Sequence, residues 1–339
     1  MHIAHLEQFV AALLRRAHLT PQHALLAAKG IVGADACGIP SHGVRRLPNY
    51  LTRLEAGAIT ARPKLDWVRQ RGATALLDAD HGMGHIAAHY AVQRLIRTTR
   101  RYGIASVGIM RNEHLGSLNL SIQTIVAAQL VGIIFVNTPA AMAPWGGTSA
   151  MIGSNPLAIG IPGAKQPLLV FDGATTAVAR GKISAAAERK QAIPNHWALD
   201  AHGQPTIDPQ AALAGALLPA GTLGYGLGLA IALLTGSLLG GVSDDQLPSF
   251  LNPPHQPVPT SVLLIGIDPA ALGGLAHLHQ HGQAFIDRIV ASRGNPRIPG
   301  QRRNVPATSI TLDASTRSTL TNLADTYRLP TRYRLPSEE

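Results

Sequence analysis

The sequence predicts an α/β fold in which strands and helices alternate through the middle of the chain, with helical segments at both ends. Short apolar runs rich in β-branched residues, such as 104–110 and 131–137, are typical of buried strands. Residues 1 to about 60 have a helical pattern instead, and a final helix is predicted near 313–326. Strands that alternate with helical segments are typical of α/β proteins.

The individual elements follow from local signals. Thr20 followed by Pro21 predicts the start of a helix, because proline fits the first turn of a helix. A loop rich in proline and glycine is predicted over 138–156. In chain order, the sequence predicts strands over 74–78, 104–110, 131–137, 168–172 and 261–268, and helices over about 84–101, 270–292 and 313–326.

The composition limits the class of protein. The chain has 339 residues, of which 46% are hydrophobic and 14% are charged, so we expect a large core and no global disorder. This length suggests about two domains. The single cysteine, Cys37, allows no intramolecular disulfide and is typical of the reducing cytoplasm. The N-terminal segment has the pattern of an amphipathic helix rather than that of a secretory signal.

The formal net charge is +10 at pH 7, and such an excess can indicate a nucleic-acid partner. However, the basic residues are scattered, and only 4% of the residues are aromatic, so few rings are available to stack on bases. We therefore expect a basic surface that attracts small anionic ligands, and no nucleic-acid partner.

One long segment, 209–243, contains no Asp, Glu, Lys or Arg. A membrane span needs about 20 consecutive apolar residues. The most apolar window, LGYGLGLAIALLTGSLL, has 17 residues and contains four glycines. The sequence therefore favours a buried core helix here, with a membrane segment as the less favoured alternative.

The segment PSHGVRRLPNY, residues 40–50, gathers many hydrogen-bonding side chains. If 42–56 forms one helix, its period puts three polar groups in one line along the margin of the buried face. They are the imidazole of His42, the guanidinium of Arg46 and the phenol of Tyr50. The same period turns Arg45, Asn49 and Arg53 towards solvent. Pro48 would remove a hydrogen bond inside such a helix. Spacing alone leaves two interpretations open, a pocket for an anion and a helix edge that contacts another part of the fold.

The same segment resembles the malate/L-lactate dehydrogenase family, which is unrelated to the Rossmann-type dehydrogenases. The resemblance continues, in order, through RNEHLGS (111–117), MAPWGGTSAMIGSNPLAIGIP (142–162), FDGATTAVARGKI (171–183), IPNHWALDAHGQPTIDP (193–209), GYGLGL (224–229) and RIPGQRR (297–303). It implies the fold of sulfolactate dehydrogenase, with a central mixed-sheet domain over 66–284 and a helical domain built from 1–65 and 285–339. It also implies a cytoplasmic homodimer.

The activity implied by the resemblance is NAD- or NADP-dependent interconversion of a small 2-oxo or cyclic 2-imino acid and the corresponding 2-hydroxy or amino acid. By position, His114 matches the catalytic proton donor and acceptor. The substrate-pocket positions of the family correspond to Ser41, His42, Arg46 and Tyr50. The cofactor-contact positions correspond to Thr138, Asp172, Gly173, Ala174, Pro299, Gly300 and Gln301. The resemblance implies no metal.

The chain departs from the family pattern at three places. Gly173 stands in a stretch usually written Asp-Met-Ala, and Leu223 stands where relatives usually carry a cofactor-contacting lysine. Some relatives also present a substrate arginine before the strand at 261, whereas the segment 249–260 contains none. These departures leave an alternative open, a homologue that is non-catalytic or binds the cofactor only.

Three further features have plainer interpretations. The hexapeptide GMGHIA, 82–87, imitates a dinucleotide-binding fingerprint, but the strand that follows ends in Met110 and Arg111, without the expected acidic residue. His85 and His89 lie one helical turn apart without a metal-binding motif, so we expect them on a helix surface. The run HLHQH, 277–281, is likewise predicted to lie on a solvated helix face.

Overall fold

A mixed β-sheet forms the centre of the structure. The computed structural model describes residues 1–250, 254–300 and 308–336. Within these ranges the strands are β1 (Asp66–Arg71), β2 (Thr74–Asp78), β3 (Ile104–Asn112), β4 (Val131–Val136), β5 (Ala140–Met142), β6 (Ile152–Gly153), β7 (Leu157–Ile161), β8 (Leu169–Gly173), β9 (Ala198–Leu199), β10 (Ala216–Leu217) and β11 (Thr260–Ile267). The main sheet has the order β1-β2-β3-β11-β4-β7-β8, in which β2 and β3 are parallel and the other neighbouring pairs are antiparallel.

A smaller sheet has the order β6-β5-β10-β9. The helices of the described ranges are α1 (Ile3–Arg16), α2 (Pro21–Ala36), α3 (Leu47–Glu55), α4 (Gly84–Tyr102), α5 (Leu118–Ala127), α6 (Arg180–Glu188), α7 (Pro209–Ala214), α8 (Gly221–Ala232), α9 (Leu275–Val290) and α10 (Ala314–Thr326). The predicted strands at 74–78, 104–110, 131–137, 168–172 and 261–268 are therefore confirmed within one or two residues. The predicted helices at 84–101, 270–292 and 313–326 are confirmed with shorter or slightly shifted ends.

The two largest hydrophobic cores among the described residues organise the fold. The first joins α1, α2 and α3 with α10 from the other end of the chain, through side chains such as Phe9, Ile31 and Leu320. The second lies between the main sheet and helices α4 and α5, with Leu95 and Ile134 at its centre. The helical part is thus built from both ends of the chain, whereas the domain limits at 65 and 285 remain a prediction.

Both ends of the chain are held together by backbone contacts. The N-terminal amine of Met1 donates to the carbonyl of Ile310 over 3.1 Å, and the backbone N–H of Ile310 donates back to Met1 over 2.9 Å. A bridge between His2 and Ser309 continues this pairing. The start of α2 is fixed as predicted, because the Thr20 hydroxyl accepts the backbone N–H of His23.

The prediction of one helix over 42–56 is wrong. Two 3₁₀ turns, Pro40–His42 and Val44–Arg46, precede α3. Pro48 lies in the first turn of α3, where its missing N–H removes no helical hydrogen bond. The predicted exposure of Arg53 is also wrong, because only 1% of this residue is accessible.

The helix predicted within 209–243 is present as α8, but the prediction that it is a buried core helix is wrong. The inward face of α8 is formed by Gly224 and Gly228, which lie so close to Thr175 that a Cβ atom would be 2.4 and 2.9 Å from its atoms. Several leucines on and just after α8 therefore point outwards, and Leu223 and Leu238 are 74% and 64% exposed. None of the described helices has the length and apolar content that crossing a bilayer requires.

Candidate active site

The candidate active site lies at the end of β3, where the strand runs into the loop that carries His114. Glu113, immediately before this histidine, is buried and bonded on both carboxylate oxygens. Its Oε2 accepts from Arg53 of α3 over 3.0 Å, and its Oε1 accepts the backbone N–H of Val258 over 2.6 Å. Arg53 also donates to the carbonyl of Gln256. These bonds fasten the His114 loop to two other segments.

Burial dominates the electrostatics of this pair. It raises the pKa of Glu113 to about 7, although the Val258 N–H and the positive charge of Arg53 oppose the rise. Arg53 and Glu113 expose only 2% and 1% of their side chains. A buried pair of this kind depends on both partners, because removal of one leaves the other charge unpaired.

His114 itself is held on three sides. Its Nδ1 lies 2.7 Å from the hydroxyl of Tyr50 and accepts the backbone N–H of Gly116 over 3.2 Å. His42 stacks on the ring, with centroids 5.6 Å apart and planes 23° apart. Phe250 meets the ring edge-on at 5.0 Å and 86°. The sequence analysis did not identify Phe250, which no motif marked.

The four predicted substrate-pocket residues do come together, although not along one helix. The Ser41 hydroxyl lies 3.0 Å from Nδ1 of His42, and the carbonyl of Ser41 accepts Nε–H of Arg46 over 2.7 Å. The two 3₁₀ turns thus replace the predicted helix as the support for these groups. Arg46 keeps its outer N–H groups without a protein partner among the residues that the structure describes.

Burial and positive charge keep the imidazoles of this site neutral. Burial and then the nearby charge of Arg46 hold the pKa of His114 well below its ordinary value of 6.5. The same two causes lower the pKa of His42 to about 4. Burial raises the pKa of Tyr50 to about 12, so its hydroxyl keeps its proton. His114 is therefore a neutral base until a negative charge enters the site.

His85 packs against Tyr50 within this site. The prediction that it lies on a helix surface is wrong. It is 8% exposed, and its ring meets the ring of Tyr50 edge-on at 5.6 Å. Glycines make room for it, because a Cβ atom at Gly30 or Gly116 would come within 2.4 Å of the imidazole. Burial lowers the pKa of His85 to about 4. The ring therefore packs as a neutral group.

The glycine motif at 82–87 has a packing role. A Cβ atom at Gly84, the first residue of α4, would lie 2.5 Å from the carbonyl oxygen of Glu113 and 2.6 Å from that of His114. The missing side chain lets the loop after β3 rest directly on the start of α4. This contact explains the motif without a bound dinucleotide phosphate.

Most of the predicted cofactor residues cluster around the end of β8. Asp172 and Gly173 are its last two residues, and Ala174 follows. Asp172 accepts from the Ser117 hydroxyl over 3.3 Å, which joins this cluster to the loop of His114. The carbonyl of Pro299 accepts the backbone N–H of Val170.

Gly300 follows Pro299 with φ +90°, where a Cβ atom would lie 2.4 Å from the Val170 carbonyl oxygen. Only glycine suits such an approach. Gln301, the last predicted cofactor residue, lies outside the described residues.

Thr138 lies at the neighbouring turn after β4. Its backbone N–H donates to Asn155 over 3.0 Å, and its hydroxyl lies 3.4 Å from that of Ser154. The carbonyl of Ser154 in turn accepts from the hydroxyl of Thr175 over 3.0 Å. A row of hydroxyl groups therefore connects Thr138 with the stretch after β8. Leu223, at the position where relatives usually have a lysine, projects from the first turn of α8.

A neutral imidazole bonded to a phenol and influenced by the charge of a nearby guanidinium is an arrangement suited to acid–base chemistry on a small anion. Comparison of the chain with known proteins identifies its family. The sequence profile of the malate/L-lactate dehydrogenase family matches residues 1–311, so the chain belongs to that family. The family predicted from the motifs is thus confirmed.

Three relatives illustrate the match. The NADP⁺-dependent (2R)-3-sulfolactate dehydrogenase of Chromohalobacter salexigens is 34% identical over 88% of this chain and 89% of that protein. The NAD⁺-dependent ureidoglycolate dehydrogenase of Escherichia coli K12 is 36% identical over 88% and 87%. The structure of Δ1-piperideine-2-carboxylate reductase from Pseudomonas syringae superimposes with a TM-score of 0.88 at 29% identity, covering 96% and 99% of the two chains. The predicted fold is confirmed, and these comparisons give no support to a non-catalytic homologue.

Proposed function

We propose that the protein is an NAD- or NADP-dependent oxidoreductase that interconverts a small 2-oxo or cyclic 2-imino acid and its 2-hydroxy or amino acid. The observation that carries this proposal is the 2.7 Å contact between His114 and Tyr50, beside the stacked ring of His42 and within the electrostatic reach of Arg46. The names of the relatives support the reaction class, since they are dehydrogenases and a reductase of small acids.

The roles of the residues follow from their charges. Arg46 binds the substrate carboxylate, because its outer N–H groups are available and a planar guanidinium suits a carboxylate. That carboxylate offsets the positive charge that lowers the pKa of His114. His114 then holds the proton that the substrate oxygen or nitrogen gains in reduction, and it accepts this proton in oxidation.

Tyr50 and His42 orient this imidazole. Nδ1 of His114 accepts the backbone N–H of Gly116, so the Tyr50 hydroxyl donates to the same nitrogen, and Nε2 is the nitrogen that gains or loses the exchanged proton. His42 stacks on the ring face, and the Ser41 hydroxyl holds His42 in turn. We assign Ser41, His42 and Tyr50 to the substrate pocket on this basis.

The cofactor, when bound, supplies the hydride. The donor set around β8 suits its ribose and phosphate groups, because hydroxyls and a carboxylate lie beside glycines that admit close approach of the backbone. The residues proposed to hold it are Thr138, Asp172, Gly173, Ala174, Pro299, Gly300 and Gln301. No residue of this set distinguishes NAD from NADP.

We further propose that the protein forms a homodimer. Several leucines at the end of α8 and directly after it are exposed, including Leu233 and Leu238, which are 55% and 64% exposed. A patch of this kind is typical of an interface. Sedimentation equilibrium is expected to give twice the chain mass, and Leu238→Arg is expected to give the monomer. A monomeric wild-type protein would contradict this part of the proposal.

The remaining parts of the proposal concern organisation and location. We propose a helical domain from 1–65 and 285–339, an α/β domain over 66–284 and a cytoplasmic location. The single thiol of Cys37 supports the location, because reduced cysteines are usual there. We propose that the positive net charge of the protein attracts the anionic cofactor and substrates.

The direct experiment is oxidation of NADH and NADPH by the purified protein with a panel of 2-oxo acids and cyclic imino acids. We expect turnover with at least one member of the panel, saturable in both cofactor and acid. A folded protein that turns over none of them with either cofactor would contradict the proposed activity.

A further inference from the structure

The ring of Phe250 forms an aromatic wall of the candidate site beside His114. Phe250 presents its ring at right angles to the imidazole, with centroids 5.0 Å apart. The backbone of Phe250 is held in turn, since its carbonyl accepts from the side-chain amide of Asn49 on α3 over 3.2 Å. This bond anchors the backbone of Phe250 next to His114. A substrate that places its carbonyl or imine at His114 has its variable substituent beside this ring.

The positive charges near His114 are few. Arg53 is 1% exposed and bonds Glu113 and the carbonyl of Gln256 through Nη2, while its Nη1 is enclosed by protein atoms. Arg111 is paired with Asp78 at 2.7 Å. Arg45 lies on the outer side of its turn, where it approaches Asp313 at 3.9 Å. Arg46 is left, among the residues described on 40–55, 111–118 and 244–250, as the cation for the substrate. The sequence 251–253 adds no charged residue.

One available cation satisfies one carboxylate. A second negative group on the substrate would lie against the edge of Phe250 and the neutral imidazole of His42, without a counter-charge. Burial of an unpaired charge is costly, whereas an apolar group gains from the same contact. The cost of burying a second charge and the gain from an apolar contact therefore act in the same direction on the choice of substrate.

We propose that the site selects monoanionic 2-oxo or cyclic imino acids with an apolar substituent over dianionic acids, and that Phe250 determines this preference. This inference rests on the proposed function and narrows its substrate class. It also makes Phe250 a specificity-determining residue, in contact with both His114 and the substituent.

The first arm of the test uses substrates matched in size. The specificity constant kcat/KM is measured for 2-oxobutanoate against oxaloacetate, and for Δ1-piperideine-2-carboxylate against 3-sulfopyruvate, with each cofactor. We expect the monoanion of the first pair to exceed the dianion at least tenfold. Equal constants, or a preference for the dianions, would overturn the inference and leave the proposed activity intact.

The second arm changes the wall. Phe250→Arg is expected to raise kcat/KM for oxaloacetate at least tenfold and to lower it for 2-oxobutanoate, because the added cation pairs with the second carboxylate. Phe250→Leu is the matched control and is expected to keep the wild-type order of substrates. If Phe250→Arg folds and leaves the order unchanged, Phe250 does not determine the preference.

A third measurement separates the two proposals. Calorimetric titration of the wild-type protein, saturated with NAD⁺ or NADP⁺ instead of the reduced cofactor, with either 2-oxobutanoate or oxaloacetate reports binding without turnover, because the oxidised cofactor has no hydride to transfer to an oxo acid. If neither acid reacts but 2-oxobutanoate binds more tightly, the proposed activity fails and the inference holds. If oxaloacetate binds as tightly or more tightly, the inference fails, whether or not either acid reacts.

Discussion

The two ends of the candidate site are built in different ways. At the substrate end, side chains hold one another, and the ring of His114 contacts Tyr50, His42 and Phe250 directly. At the proposed cofactor end, backbone groups and hydroxyls define the surface, as in the contact of Pro299 with β8. The difference implies that single side-chain changes act strongly at the substrate end and weakly at the cofactor end.

The largest expected effect is that of His114→Gln. Loss of a positioned acid–base group is expected to lower kcat about 10²–10⁴-fold. Binding of NADPH, measured by fluorescence titration, is expected to be unchanged, since the imidazole lies at the substrate end. His202→Gln, an exposed histidine outside the site, is the control and should leave kcat at the wild-type value. A fall in kcat of less than about tenfold would contradict the acid–base role.

The second prediction concerns the support of the His114 loop. Arg53→Met leaves Glu113 buried without its partner and is expected to lower the free energy of unfolding by about 3–5 kcal/mol. Urea denaturation measures this loss. The double variant Arg53→Met, Glu113→Gln should recover part of it, because no unpaired charge remains.

Arg45→Met provides the matched control for that measurement. The Arg45 side chain is 49% exposed, and its approach to Asp313 is long, so its removal should change stability by less than about 1 kcal/mol. Equal losses in the free energy of unfolding for Arg45→Met and Arg53→Met would show that burial of the Arg53–Glu113 pair does not cause the loss.

The third prediction sharpens the role assigned to Arg46. Arg46→Lys keeps the charge but loses the planar arrangement of donors, and charged hydrogen bonds contribute about 1.5–3 kcal/mol. We expect KM for the acid to rise roughly 10- to 150-fold with little change in kcat, as for a uniform binding contact. Arg45→Lys should leave KM unchanged. A fall in kcat at constant KM would instead indicate a contact made only in the transition state.

The fourth prediction uses the buried imidazole under Tyr50. The unfolded chain protonates His85 below pH 6.5, whereas burial keeps its pKa in the folded protein at about 4. Stability is therefore lost as the pH falls from 6.5 towards 4, at about 1.4 kcal/mol per pH unit. His85→Gln removes this contribution, so between pH 7 and 5 the stability difference should move about 2 kcal/mol in favour of the variant.

The other buried imidazoles cancel in this comparison, because both proteins contain them. Urea denaturation at pH 7, 6 and 5 supplies the measurement. Parallel pH profiles for the two proteins would show that His85 does not remain neutral in the folded state.

The smallest effect is expected at the cofactor end. A Cβ atom at Gly173 would lie 3.0 Å from the ring of Phe171, which can shift, so Gly173→Ala should cost less than about 1 kcal/mol. Gly300→Ala is the contrasting variant, since φ there is +90° and the Val170 carbonyl leaves no room. Thermal unfolding should show a clear loss only for Gly300→Ala. Equal losses would mean that both glycines are required by the backbone.

Much of the fold is encoded locally and could be predicted from the sequence. The strands over 131–137 and 261–268 are continuous apolar runs that lie in the middle of the sheet, and their burial follows from composition. The strand Leu157–Ile161 was missed, because it is short and follows a loop rich in glycine and proline. The 3₁₀ turns before α3 were missed because the apolar period continues through them.

The site depends on contacts between distant segments. Arg53 has the period of a solvent-facing residue, and its buried position requires Glu113, which lies far along the chain. Phe250 likewise reaches His114 only through the tertiary fold. A pattern confined to one segment cannot reveal either contact, whereas His114 was identified by resemblance to the family.

The pairing of Met1 with Ile310 has a consequence for synthesis on the ribosome. The helices α1 to α3 emerge first, yet their core is completed by Leu320 and its neighbours near the end of the chain. Until those residues leave the exit tunnel, apolar groups such as Phe9 and Leu13 lack their final cover. Nascent chains of this protein should therefore attract chaperones until Leu320 and its neighbours have emerged.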